Sequence, residues 1–171
     1  MIKLKTSSKS LARSGIIAGI YVALTLALYP ISFGAIQLRV SESLTLLPIL
    51  FPESILGLTV GCLISNFFGN GLLDVIFGTL ATFLSAILTY LFTKNLKKDL
   101  AKILVGGIFP IIINAIIIPF TILSITEQPA MYFITSFQIF ASQFLSVYIV
   151  GTPLYYILNK IKKKVLKDLN F

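Results

Sequence analysis

Arg39, Glu42, Asn66, Asp74, Asn114, Gln138 and Gln143 interrupt stretches that are otherwise aliphatic or aromatic. These residue types suit the recognition of a small polar molecule. Carboxylates accept from N–H groups, primary amides donate and accept at once, and a guanidinium donates in a planar fork. An ionisable side chain among apolar residues is costly, so it marks function by default. They do not make a catalytic set. With no His and one Cys, zinc-type metal sites are excluded in practice, as are Ser-His-Asp and Cys-His nucleophiles. The phosphate loop G-x-x-x-x-G-K-[ST] is missing too. The sequence therefore implies no enzyme, no metal and no cofactor.

Such residues must be positioned by elements suited to lipid. Of the 171 residues, 57% are hydrophobic and 12% charged, and the mean hydropathy is +0.97. An ordinary soluble domain carries roughly 25% charged residues. A soluble chain of this size buries only about 70% of its unfolded surface, too little to hide so much apolar material. Lipid removes the conflict. The net charge of +8 is confined: of the fourteen basic residues, all but Arg39 lie in residues 3–13, 94–102 and 160–167. They flank apolar runs as cytoplasmic anchors do. A nucleic-acid groove would interleave basic and aromatic residues, so no nucleic-acid partner is expected. Cys62 reads as a buried thiol without a disulfide partner. The basic start reads as leading into a retained first helix, because its apolar run is long, Pro30 ends it and further spans follow.

A helix needs about 20 residues to cross the hydrocarbon. Long spans are expected at about 11–29, 103–125 and 131–158. If residues 3–13 and the 94–102 loop share the cytoplasmic side, an odd number of crossings must fill residues 40–93. Phe51-Pro52-Glu53 and Gly69-Asn70-Gly71 supply two breaks, giving helices at about 42–50, 54–68 and 72–93. The expected fold is an all-α integral membrane protein, a six-helix bundle in a single domain over 1–171, with both termini cytoplasmic. In that topology the seven polar residues lie in the outer or central part, which predicts a pocket open to the outside and closed below.

Structural readings stand beside the binding one. Arg39 and Glu42 also suit an ion pair, and Asp74 after Gly-Asn-Gly a helix cap. Asn114, between Pro110 and Pro119, suits the satisfaction of freed backbone groups. Gln138 and Gln143 suit interhelical hydrogen bonds. Gly15, Gly19, Ala23 and Ala27 recur every four residues, a smooth ridge fit either for packing inside the bundle or for docking a partner.

One segment is more specific. Gln37-Leu38-Arg39-Val40-Ser41-Glu42-Ser43-Leu44, followed by Phe51-Pro52-Glu53, resembles the QueT family of queuosine-precursor transporters. Gly61-Cys62-Leu63-Ile64-Ser65-Asn66, Gly69 to Asp74 and Phe77 to Thr82 extend the likeness, which covers about residues 12–156. The resemblance implies an S component, the substrate-binding subunit of an energy-coupling factor (ECF) importer in the bacterial cytoplasmic membrane. Its implied partners are a transmembrane coupling subunit, docked on the Gly19-xxx-Ala23 ridge, and two ATPase subunits. The implied ligand is a 7-deazaguanine. Many members of the family are expected to carry Glu where this chain has Gln143, which leaves open a neutral nitrile or another heterocycle. An S component for a different vitamin, a ligand-free membrane scaffold and a stand-alone channel remain as alternatives.

Overall fold

Ser7 starts the first helix by accepting a hydrogen bond from the Ser10 N–H at 3.2 Å, relieving one of the orphan donors of a helix start. The computed structural model describes residues 7–34, 37–69, 71–126 and 129–168. Helix α1 (Ser8–Ala27) buries Ser14, Ile17, Ala18, Tyr21 and Thr25, the spacing of a single helix face. Gly15, Gly19, Ala23 and Ala27 are exposed on another face. The small-residue ridge is therefore not used for packing inside the bundle. The helix ends two residues before the expected 29, and a separate turn, α2 (Tyr29–Ser32), takes Pro30 in its first turn. There the missing N–H costs nothing.

The segment expected to be an α-helix over 42–50 is a 3₁₀ helix, Val40–Ile49, with every residue from Ser41 to Pro48 buried. Three residues per turn align every third side chain. Leu44 and Leu47 consequently join Ile17, Tyr21, Ile55, Leu58 and Cys62 in one core. Leu46 joins Leu50, Ile103, Ile111, Val147 and Tyr155 in another. The segment is a wall between two cores. Runs of 3₁₀ helix beyond about 4 residues are uncommon because the hydrogen-bond geometry is poorer; here burial from all sides outweighs that. A rise of about 2.0 Å per residue also lets ten residues reach about 20 Å, further than an α-helix of equal length.

The remaining helices are α3 (Ser54–Phe67), α4 (Thr79–Thr93), α5 (Asp99–Thr126), α6 (Tyr132–Phe144) and α7 (Gly151–Asp168). A π-helical turn, Asp74–Gly78, leads into α4, and another, Leu145–Val150, joins α6 to α7. Seven α-helices are thus present among the described residues, against six expected. Two boundaries move. Helix α5 begins at Asp99 rather than 103, so the basic connection shrinks to residues 94–98. The last run continues ten residues past 158, whereas the run expected from 72 does begin at 72, with residues 74–78 in π form before α4 proper. Four helical stretches are long and apolar enough to cross a membrane: Ser8–Ala27, Asp74–Thr93, Asp99–Ile122 and Tyr132–Val165.

Pro110 and Pro119 lie inside α5. Each lacks an N–H and so frees the carbonyl four residues earlier, at Gly106 and Ala115. Both are satisfied from neighbouring helices. Thr89 of α4 donates to the Gly106 carbonyl at 2.8 Å, and Ser136 of α6 donates to that of Ala115. In an apolar interior each such carbonyl must find a donor. Thr89→Val keeps the shape and removes the donor. It should cost about 1–3 kcal/mol, the penalty of an unsatisfied buried carbonyl, read as a lower unfolding midpoint in detergent. An unchanged midpoint would mean that water or a bent helix serves Gly106 instead.

The basic segments meet at one end. Arg13 pairs with Glu53 at 2.9 Å, and the Ser14 hydroxyl donates to the Glu53 carbonyl at 2.8 Å. Lys162 donates to the Leu50 carbonyl at 2.6 Å and stands 5.1 Å from the Phe51 ring centre. Asp99 accepts from Tyr155 and Asn159 at 3.0 and 3.1 Å, and Lys163 lies 3.6 Å away. These contacts tie α1, the 51–53 turn, α5 and α7 together.

Candidate functional site

A second polar cluster is built where the 3₁₀ helix starts, α3 ends and the first π turn begins. Arg39 immediately precedes the 3₁₀ helix and is 5% exposed. Its Nη1 donates to Asn66 Oδ1 and its Nη2 to Asp74 Oδ2, both at 2.8 Å. Its Nε donates to the Ser32 carbonyl at 3.4 Å, and the guanidinium lies 4.8 Å from the Phe33 ring centre. The flat, forked group thus stacks and bonds at the same time, which a Lys cannot do. Asn66 completes the link: its Nδ2 donates to the Asp74 carbonyl at 3.0 Å and lies 3.3 Å from Cys62 Sγ.

Glu42, one 3₁₀ turn beyond Arg39, is fully buried and accepts a hydrogen bond from the Tyr21 hydroxyl. Thr25, one turn from Tyr21 on α1, donates to Ser41 Oγ at 2.7 Å. The inward face of α1 is thereby bonded to the 3₁₀ helix at two successive positions. Glu42 Oε2 and Asp74 Oδ1 are buried without a hydrogen-bond partner. Gly78 lets the π turn close over the cluster: a Cβ there would stand 2.7 Å from Asn66 Nδ2 and 3.0 Å from Asp74 Oδ1.

Of the residues expected to converge, Arg39, Asn66 and Asp74 are in direct contact. Glu42 is within electrostatic range of both Arg39 and Asp74. Asp74 makes no side-chain capping bond; its carboxylate turns to Arg39 instead. The anticipated Arg39–Glu42 ion pair is replaced by Arg39–Asp74. Asn114 is buried, yet its Nδ2 donates to the Pro110 carbonyl of its own helix at 2.8 Å. It neither joins the cluster nor serves the carbonyls freed by the prolines. Gln138 is exposed on α6 and is not among the residues of the cluster. Gln143 is buried, and its Oε1 has no partner.

Comparison with known proteins decides the family. The model of the QueT transporter family matches residues 11–160. The chain belongs to this family. It is also 37% identical over 97 residues to the queuosine precursor transporter QueT of Lactococcus lactis subsp. cremoris (strain MG1363), an alignment covering 56% of this chain and 57% of that protein. The alignment thus spans little more than half the length of that curated relative. No solved structure matches the chain. Membership makes this a transporter-family chain with four helices able to cross a membrane.

Two participants escaped the sequence reading. Tyr21 looked like one aromatic among many; its signal was its place on the same face as Ser14 and Thr25, a polar stripe unusual for a lipid-facing surface. Phe33 carried no signal at all. Tyr21→Phe should leave Glu42 with neither oxygen bonded and cost roughly 1–3 kcal/mol, the penalty of a buried polar group left without its partner. The check is the unfolding midpoint, and a loss within error would place water on Glu42.

Proposed function

We propose that this protein is the substrate-binding membrane subunit, the S component, of an ECF-type ATP-driven importer. It captures a queuosine precursor of the 7-deazaguanine class. The observation that carries this reading is the buried cluster of Arg39, Glu42, Asn66 and Asp74, in which two carboxylate oxygens have no donor. A guanine-like edge offers an N–H and an amino group, the donors such oxygens accept.

The reading extends to topology and partners. The two π-helical turns belong to longer rods, so that six rods cross or enter the bilayer. The basic end of the bundle faces the cytoplasm, as Lys-rich flanks do, with both termini there. The substrate cluster then faces the outside of the bacterial cell membrane. The exposed ridge of Gly15, Gly19, Ala23 and Ala27 docks on a coupling transmembrane subunit, which two ATPases drive. Favouring this, a Cβ on Gly15 or Gly19 would meet nothing within 4 Å, which leaves that face free for another helix.

The test is ligand-dependent stabilisation of the purified protein together with mass spectrometry of whatever co-purifies. A ligand at 100 times its Kd raises stability by about 2.7 kcal/mol. No shift with any 7-deazaguanine would sink the substrate reading. For docking, Gly19→Leu should abolish capture of the coupling subunit while leaving ligand stabilisation intact; capture at the original level would remove the ridge from the interface.

A further inference from the structure

The last helical stretch is longer than a bilayer needs. Tyr132–Val165 runs through 34 residues, about 51 Å at a rise of about 1.5 Å per residue. The hydrocarbon is about 30 Å thick, and about 40–45 Å with both headgroup layers. Charged groups, costly in hydrocarbon, mark where the lipid interior ends. Lys162 bonds the Leu50 carbonyl, Lys163 stands by Asp99, and Arg13 pairs with Glu53. From about residue 157 onward, α7 therefore runs at headgroup level.

That part of α7 has three strips. Tyr155, Asn159 and Lys162 turn to the bundle, the first two donating to Asp99 and the third to Leu50. Ile157, Ile161 and Val165, at four-residue steps, form an open apolar strip, each about half-exposed. Lys160, Lys163, Lys164 and Lys167 share the remaining strip, and all four are exposed. Among the described residues, Lys160, Lys164 and Lys167 have no carboxylate partner.

An open apolar strip suits lipid and protein alike, and the lysines beside it decide between them. This end of the bundle carries eleven basic residues against Glu53, Asp99 and Asp168, and two of those acids already face Arg13 and Lys163. The complement is a surface dense in negative charge with an apolar layer directly beneath it, which is an anionic phospholipid leaflet. We propose that residues 157–167 of α7 form an anionic-lipid site. Ile157, Ile161 and Val165 seat in the acyl boundary while the lysines extend to phosphate, so that the protein gathers anionic phospholipid around this end. The inference needs only a bilayer around the chain and is independent of the substrate.

The chain has no Trp, so Ile161→Trp installs a single fluorescent reporter on the strip. The full-length variant is reconstituted in bilayers of phosphatidylcholine and phosphatidylglycerol, with the acyl chains of one or the other brominated to quench a neighbouring indole. At low salt, phosphatidylglycerol should be favoured beside the reporter by at least about fivefold, the effect of one lysine at an anionic surface. High salt should shrink that preference. Adding Lys160→Gln, Lys164→Gln and Lys167→Gln leaves the Lys162 and Lys163 contacts in place and should lower it below about twofold. Phe133→Trp, at the opposite end of the same stretch and exposed, should show no preference. Equal quenching by the two lipids at residue 161, or an equal preference at residue 133, overturns the proposal. So does a reporter quenched by neither lipid, and shielding that appears only with an added coupling subunit would assign the strip to a protein partner. A preference undiminished in the lysine variant, shown to be folded by its unfolding midpoint, overturns the role given to the lysines.

Discussion

Arg39→Met should cost about 3–5 kcal/mol, the penalty for removing one partner of a buried ion pair. Asp74, with its side chain 2% exposed, would be left charged and without its cation. Asn66 Oδ1 would lose its donor in the same step, and the Phe33 ring its cation. Against a typical total stability of about 5–15 kcal/mol, that is a major share. Arg39→Lys should recover only part, since a compact ammonium cannot bond Asn66 and Asp74 in one plane while stacking on Phe33. Arg39→Met combined with Asp74→Leu should recover most of the loss, because replacing both members of a buried pair with apolar groups is often neutral. Unfolding midpoints of the two single variants and the double variant form a closed cycle that isolates the pair. A loss below about 1 kcal/mol in Arg39→Met would give the pair the weight of an exposed surface bridge. Ligand binding should be absent in both Arg39→Met and the double variant.

The same cluster separates what residue types disclose from what only a fold can. Arg39, Asn66 and Asp74 stood out because ionisable and amide groups are expensive among apolar neighbours. Their mutual contact did not, because the bonds span 27 and 35 positions of chain and no local period links them. Asn114 has the same type of apolar context and does something else. A helical Asn can always return its amide to the carbonyl four residues back, and hydropathy is blind to that choice. The exposure of Gln138 was hidden for a different reason: in a membrane bundle the lipid-facing and protein-facing sides are equally apolar, so neighbours such as Phe137 and Ile139 do not tell one from the other.

Backbone geometry shows a similar division. Proline positions announce which carbonyls of α5 lose their N–H, since the offset is always four residues. They do not announce the donors, and Thr89 and Ser136 come from helices on either side. The breaks at Pro52 and near Gly69 were legible because turn chemistry is local. The 3₁₀ form of Val40–Ile49 was not, because nothing local favours ten residues of it. Burial from Ser41 to Pro48 between two cores imposes it. That element also connects the two ends of the molecule, with Arg39 at its start and Leu50, the acceptor of Lys162, just past its end.

The sequence made α1's small residues conspicuous, yet the tight helix–helix contact is made by α3. A Cβ on Gly57 would fall 2.6 Å from the Ser14 carbonyl oxygen, and one on Gly61 2.8 Å from Tyr21 Cβ and 3.0 Å from the Ala18 carbonyl oxygen. Two of these three obstacles are backbone atoms of α1, which cannot swing aside. Gly57-xxx-Gly61 is therefore the groove in which α1 lies, as small residues four apart allow in lipid. Gly61→Leu must push α1 outward and should cost at least roughly 3 kcal/mol, the upper part of the overpacking range. Displacement of α1 carries Tyr21 away from Glu42, so substrate binding should be lost with it. Gly61→Ala should be milder, at about 1–3 kcal/mol. Gly19→Leu supplies the control: the same substitution on the open face of α1 should stay within about 0.5 kcal/mol of the original. Unfolding midpoints in one detergent decide the matter, and equal midpoints for Gly61→Leu and Gly19→Leu would mean that α1 and α3 are not in close contact.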